Sequence, residues 1–557
     1  MKYIFTLSVI FLTTFCQAQW VTNPLINTEV KDSLGPEESV PLQATTSDGS
    51  TYIAYFALYN GSYQMRLQLL DDSGVKQFGP MGLLVSNQPQ STAVFRYDLK
   101  TDANDNAILA FQDIRTGGNL HVVVYKIDKL GNFMWGNNGI QLIDPASDQG
   151  LSPTIGFTNS QNVIISWNAS SSSNSWVAVS KLSPAGSLLW ANPIQIIDPA
   201  GVKKYTRPTT VPAGTDDFSM LYVEQTGFGL GVSNMYANRF DSNGSAVWAN
   251  PVHVSTKTIS FFFFCKAVSD GMDGFFVGFS TSDNNFPSIS DVYAQHVDGN
   301  GILWNPAGII ASNLTNTQRF CNATRFDPNS GFYTLIKTTD VNQNQSGVTI
   351  QSFDMTGNTL LGPPGISLYP TQSSYGDPSD LTITLDGIIV FYTVGTAPNQ
   401  TIQAMKCDFT GSLMWLGFPA LICTNVSGKD DMSSGLFLNN QVVVVWMDNR
   451  NDYGIYAQNI TNDGQLGPQT GLPETVSETN GFITSPNPFN NSFEVSAADV
   501  NVRADKIILK DLEGRILNTI NFPVLPLSLN PEISSGFYFL EIYSANRTPE
   551  VIKIVRQ

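Results

Sequence analysis

Residues 127–135 read Ile127-Asp128-Lys129-Leu130-Gly131-Asn132-Phe133-Met134-Trp135, and the chain writes this phrase again and again. Residues 182–190 read LSPAGSLLW, 240–248 FDSNGSAVW, 297–304 VDGNGILW and 408–415 DFTGSLMW. Looser copies surround Gly74, Gly357 and Gly464, so the eight turn glycines are 57, 55, 58, 57, 56, 54 and 53 residues apart. Three residues before each glycine stands a polar residue, and it is aspartate in six copies: Asp71, Asp128, Asp241, Asp298, Asp354 and Asp408. A tight hairpin explains the pattern. The aspartate bonds its own backbone to start the turn, and Gly131, Gly186, Gly244, Gly301 and Gly411 take the positive φ that other residues resist. Trp135, Trp190, Trp248, Trp304 and Trp415 then follow and are expected to pack the hairpin onto the next layer of the fold.

Working outward, an apolar run suited to a buried strand precedes each turn glycine by roughly 20 residues. Examples are 107–111, 163–167, 218–223, 275–279, 332–336, 388–392 and 442–446. A second run leads into the turn (122–127, 235–240, 292–297, 455–460), and a weaker strand comes ahead of both, across turns such as Asp48-Gly49, Asp270-Gly271 and Asp386-Gly387. Four short antiparallel strands per repeat is the pattern of a propeller blade, which must stack on its neighbours to bury both faces. The expected fold is therefore all-β: an eight-bladed propeller over residues 19–470, with seven blades as the alternative because the first and last copies are the weakest.

Composition sets the limits on function. The 557 residues are 42% hydrophobic and 13% charged, with a formal charge of −17. An acidic surface repels phosphate backbones, so nucleic acid is excluded as a partner. Three histidines, and cysteines (Cys265, Cys321, Cys407, Cys423) in no zinc or redox spacing, leave no basis for a metal or a cofactor. Lys2, an apolar run over residues 3–15 and the small residues around Ala18 read as a signal peptide spanning residues 1–18. No later stretch is long enough to span a bilayer. The mature protein is expected outside the cytoplasm.

Two resemblances add to this reading. The repeat, as in Val445-Trp446-Met447-Asp448-Asn449-Arg450 followed by Ile455-Tyr456-Ala457-Gln458, resembles a propeller repeat common in secreted proteins of Bacteroidota; that repeat implies no single activity. Beyond a linker at 471–481, residues 482–557 carry Pro486-Asn487-Pro488-Phe489, then Asp511-Leu512-Glu513-Gly514-Arg515, then Gly536-Phe537-Tyr538 and a basic final strand holding Lys553. This order is similar to the type A C-terminal sorting domain of the type IX secretion system. The resemblance implies an Ig-like β-sandwich that engages the secretion machinery and brings its cargo to the cell surface or the medium. Without it, the same residues still read as a small sandwich of alternating strands.

Motifs for chemistry are sparse. No nucleophile elbow, zincin or P-loop motif occurs. Asp102, Asn104, Asn106 and Asp113 only faintly copy a calcium loop, and Ala107 stands where that loop needs glycine. His296 occupies a repeat slot filled elsewhere by Lys126, Lys181, Arg239 and Lys406, which makes it structural. Arg96 and Arg207 share a phase in the innermost strand and Arg319 falls within two residues of it, so the three are candidates to grip an anionic group at the channel, with Tyr97, Asp98 and Tyr205 nearby. The expectation is a surface binding or scaffold protein for a glycan or protein ligand. A glycan-active hydrolase or lyase, of the kind sialidase propellers exemplify, is the alternative.

Overall fold

The computed structural model describes residues 20–32, 37–90, 93–115, 117–227, 232–260, 267–282, 290–468, 482–487, 489–497, 503–511, 515–531, 533–534, 536–544 and 550–556. The signal peptide, the linker, Cys265, Pro488 and Gly514 lie outside the described residues. The chain divides into two compact units, residues 1–468 and 469–557.

The first unit is built of eight four-stranded antiparallel sheets in sequence order. Their innermost strands are Glu38–Thr45, Asp98–Thr101, Gln149–Phe157, Lys203–Ala213, Ala267–Ser269, Thr317–Asp327, Gly376–Ile383 and Lys429–Ser434. Each innermost strand contacts that of the next sheet, and the eighth returns to the first, giving a closed, propeller-like arrangement. The apolar runs are the second strands, where Ala107–Asp113, Phe275–Ser280 and Gln441–Asp448 are buried along almost their whole length. They are buried because both faces of each sheet press on a neighbour.

The eighth sheet is composite. Its chain order ends at Gly454–Thr461, and its outer strand is Thr28–Lys31 from the N-terminal end, paired antiparallel to residues 455–457. Trp20, Val30, Ile53, Tyr55, Val443, Val445 and Ile455 form one apolar cluster across this seam.

The turn glycines behave as their spacing predicts, with φ of 83° at Gly131, 88° at Gly186 and 84° at Gly301. Asp128 Oδ1 accepts from the backbone N–H of Leu130 at 2.9 Å and of Asn132 at 2.8 Å, and its relatives do the same. The tryptophans reach the next layer, as expected. Trp135, Trp190, Trp248, Trp304 and Trp415 are half-buried, and each lies over the turn glycine of the following sheet. A Cβ on Gly186 would sit 2.7 Å from the Trp135 ring, so glycine is required there for space as well as for φ. Each indole N–H donates to the carbonyl two residues before that glycine: Trp135 to Pro184 at 3.3 Å, Trp190 to Ser242 at 3.2 Å, Trp304 to Met355 at 2.9 Å. Phe78 takes the same place against Gly131, and Leu361 against Gly411. The link from the eighth sheet to the first belongs to Trp20, which covers Gly74 and donates to the Asp72 carbonyl at 2.7 Å.

The repeat slot five residues before the glycine forms a second belt. Lys126 pairs with Asp102 (2.7 Å), Lys181 with Asp216 (2.6 Å), His296 with Asp270 (2.7 Å) and Lys406 with Asp386 (2.6 Å). Asp102 thus serves a hairpin and a lysine, while Asp113 pairs with Arg115 at the other end of the second strand.

The second unit has a three-stranded and a four-stranded antiparallel sheet around a core that includes Phe482, Phe489, Phe493, Leu540 and Ile554. Asn487 accepts from the Val555 N–H at 2.9 Å and the Phe489 N–H donates to the Val555 carbonyl at 2.8 Å, so residues 487 and 489 lie along the final strand, Glu550–Arg556. Gly536 opens the strand Gly536–Tyr543, Tyr538 donates to the Ser534 carbonyl at 2.8 Å, and the backbone of Lys553 pairs with Phe539. Cys407 and Cys423 are free and buried, and Cys321 is buried.

Candidate functional site

The hairpins between first and second strands and between third and fourth strands open on one face of the ring. The opposite face carries the second-to-third loops and the crossings between sheets. At this loop face the innermost strands enter the ring, and most are irregular: the ladder shifts between Ser39 and Leu42, Leu151 and Thr154, Thr206 and Thr209, and Asp430 and Ser433. An extra residue in a ladder kinks the strand and re-aims a side chain. The bulged residues Val40, Ser152, Arg207 and Asp431 all have left-handed φ, 54°, 51°, 56° and 48°. Four non-glycine residues held there at one register mark a rim where strain is stored.

Arg96 stands at the same register in the second sheet, two residues before Asp98, as Arg207 stands two before Thr209. Arg96 and Arg207 come from the second and fourth sheets, which are not neighbours, yet their charges interact. The protein around Arg96 strips water from it and Arg207 repels it, together pushing its pKa down to about 10 against the pull of Asp431. Asp431 belongs to the eighth sheet and is open to the channel. Enclosure by protein and the charge of Asp430 push its carboxyl up to about 6, with Arg96 opposing. Asp430 is raised too, by burial and then by Asp377, whose own carboxylate pairs with Lys337 at 2.8 Å. A run of interacting charge thus links Arg207 and Arg96 to Asp431, Asp430 and Asp377.

Arg319 lies elsewhere. Two residues off the shared register, its guanidinium turns in between sheets, where it is 5% exposed and bonds Asp291 and the Leu314 carbonyl. Tyr97 is likewise engaged: it is buried, and its hydroxyl donates to the carbonyls of Val40 (2.5 Å) and Ala54 (2.8 Å), joining the first two sheets. A phenol held between two carbonyls has no base to activate it as a nucleophile. Asp98 accepts from the Ile155 N–H at 2.8 Å and Tyr205 donates to Glu224 at 3.3 Å. Among the described residues no group of three or more metal-ligating side chains comes together, and no helix is long and apolar enough to cross a membrane.

Sequence reading missed the aspartates. The signal was available by counting back from the second strand rather than from the turn glycine. Arg96, Ser152, Arg207 and Asp431 lie eleven residues before Ala107, Val163, Phe218 and Val442, the first residues of the apolar runs.

No family model matches this chain, and neither does any curated protein. Solved structures to which the chain is similar include a PL25 ulvan lyase bound to -[GlcA(1-4)Rha3S]-, 9% identical, with a TM-score of 0.47 over 80% of this chain and 97% of its own. The polysaccharide lyase Uly1 is 9% identical, with a TM-score of 0.40 over 77% of this chain and 91% of its own. The GH93 α-L-arabinofuranosidase of Fusarium graminearum, solved with arabinobiose, is 9% identical, with a TM-score of 0.35 over 58% of this chain and 96% of its own. Likeness at these scores transfers neither activity nor ligand.

Proposed function

We propose that this protein is an exported, eight-bladed β-propeller that binds an anionic glycan at the loop-face end of its channel, with Arg96 and Arg207 holding the acidic group. The observation that carries the reading is the convergence of two arginines from non-adjacent sheets. Like charges brought together at an axis repel, and an anion placed between them relieves that repulsion through charge-assisted hydrogen bonds. Arg319 is not part of this site. The C-terminal unit is proposed to be a type IX sorting domain; its motif order and its two-sheet core support that role.

A glycan array probed with the full chain is the test. Wild type should bind acidic sugars, Arg96→Ala/Arg207→Ala should lose them, and a folded wild type that binds none would overturn the reading. For export, deleting residues 482–557 should leave the propeller in the periplasm; surface display of that truncation would reject the sorting role.

A second reading, a glycan-active hydrolase or lyase, is favoured by one observation: a carboxyl at about 6, as at Asp431, suits proton transfer near neutral pH. Release of new reducing ends or of unsaturated products from a bound glycan, lost in Asp431→Asn, would establish it.

A further inference from the structure

The fourth sheet brings more to the loop face than Arg207. Its innermost strand enters as Lys203-Lys204-Tyr205-Thr206-Arg207, three positive residues in five within a chain of net charge −17. Tyr205 stands opposite Glu224, Tyr222 opposite Tyr236, and Tyr236 opposite His253. Because side chains alternate along a strand, one face of the sheet carries an aromatic ring on each of its four strands. The ring centroids follow one another at 5.7, 6.4 and 4.9 Å, from the channel-side strand to the outer one. Tyr222 is buried, Tyr205 and Tyr236 are half-buried, and His253 is exposed.

The acids beside this row are engaged. Glu224 takes Lys203 at 3.0 Å and the Tyr205 hydroxyl at 3.3 Å, and Asp198 accepts from the backbone N–H groups of Ala200, Val202 and Lys203. Lys203 and Lys204 stand on alternate faces of the strand's exposed start. The Lys204 ammonium, the Tyr236 hydroxyl and the His253 ring nitrogens make no hydrogen bond or ion pair among the described residues. The local balance therefore favours an acidic partner, and the open groups are hydrogen-bonding ones.

We propose that the fourth sheet carries a track for the ligand from Arg207 out to His253, so that the ligand is an acidic polysaccharide chain held over several sugars rather than one terminal acidic sugar. This rests on the anionic-glycan reading and extends it along the chain. Carboxylates of the chain meet Lys203 and Lys204, and its hydroxyls meet Tyr236 and His253, whose rings combine an apolar body with a polar end. A peptide suits the track less. Peptide recognition draws on apolar pockets or on an open strand edge, and the outer edge here, Val252–His253, is two residues long.

The probes are digalacturonate and hexagalacturonate, with maltohexaose as a neutral chain of the longer length. Titration calorimetry on the full chain at pH 7.5 should show the acidic hexamer bound about tenfold more tightly than the dimer and than maltohexaose. Lys204→Ala/Tyr236→Phe/His253→Ala, which keeps the half-buried ring and otherwise changes exposed groups, should bring the hexamer down to the dimer's affinity. A thermal melt of the variant confirms that it is folded. Equal affinity of wild type for the two lengths, or a variant that keeps the advantage of the longer one, would overturn the track and leave the anionic-glycan reading standing. Maltohexaose bound as tightly as hexagalacturonate would overturn the acidic class. Binding of neither oligogalacturonate would overturn the track and the anionic-glycan reading together. Binding of hexaglutamate, but of neither oligogalacturonate, would refute the saccharide class.

Discussion

The two faces of the ring treat carboxylates in opposite ways. On the hairpin face, burial would raise Asp354, but hydrogen bonds from Asn358 and Thr356 outweigh it and hold the group at about 2. Asp102, Asp128, Asp216 and Asp386 are lowered by the same balance of burial against hydrogen bonds. On the loop face, the surrounding protein and a neighbouring carboxylate raise both Asp430 and Asp431, with Arg96 opposing at Asp431. Non-glycine residues with positive φ recur at one register of the loop-face rim, while glycines hold the third-to-fourth-strand turns of the hairpin face. One face pairs its carboxylates repetitively, while the other bends its innermost strands at bulges and raises two carboxyls. Such strain and charge are what a binding site stores and a purely structural joint avoids.

The contrast can be broken most directly at the hairpin face. Trp20 is 3% exposed, so Trp20→Ala should cost about 3 kcal/mol or more and loosen the seam between the eighth and first sheets. Trp190, half-buried over Gly244, should cost less on truncation, about 2 kcal/mol. Denaturant melts of both variants check this, and equal losses would show that closing the ring is no more demanding than any other joint.

Acid titration sharpens the comparison. The hairpin-face acids, folded below their unfolded values, contribute stability above pH 4 that is lost as pH falls toward 2. Asp431, folded above its unfolded value, acts the other way: its penalty is absent below pH 4 and grows as pH rises through about 6. Asp431→Asn should therefore stabilise at pH 7.5 and leave stability unchanged at pH 4, by less than about 1 kcal/mol because the group is open to channel water. The same gain at both pH values would mean that its carboxylate is not under pressure.

The smallest effect lies at the bulge. Arg207→Gly relieves a left-handed φ of 56° and should stabilise by about 0.5–1 kcal/mol while removing an arm of the proposed site. A loss of stability would mean that the guanidinium holds the bulge together.

The repeat was legible because its determinants are local. Turn aspartates, turn glycines and second-strand runs act within a hairpin, and strands such as Val163–Ser170 and Gln400–Cys407 lie where the spacing puts them. The tryptophans were assigned to the right element, but the half-open contact on the next sheet's glycine could not be read from one repeat alone. Arg319 stands two residues off the shared register, as its spacing gives, and on a bulged strand that offset is enough to turn its side chain into a buried pair with Asp291.

Periodicity and turn chemistry thus decide the strand count, the hairpins and the division from a distinct C-terminal unit, because these follow from residues a few positions apart. Ring closure is another matter. Trp20 meets Gly74, and Thr28–Lys31 meets residues 455–457, only once eight sheets have been stacked. The placing of Arg207 and Asp431 on opposite sheets has the same origin, since the 223 residues of intervening chain carry no record of which sheets stand opposite. That juxtaposition belongs to the number of sheets in the ring, and so it is a property of the packed molecule alone.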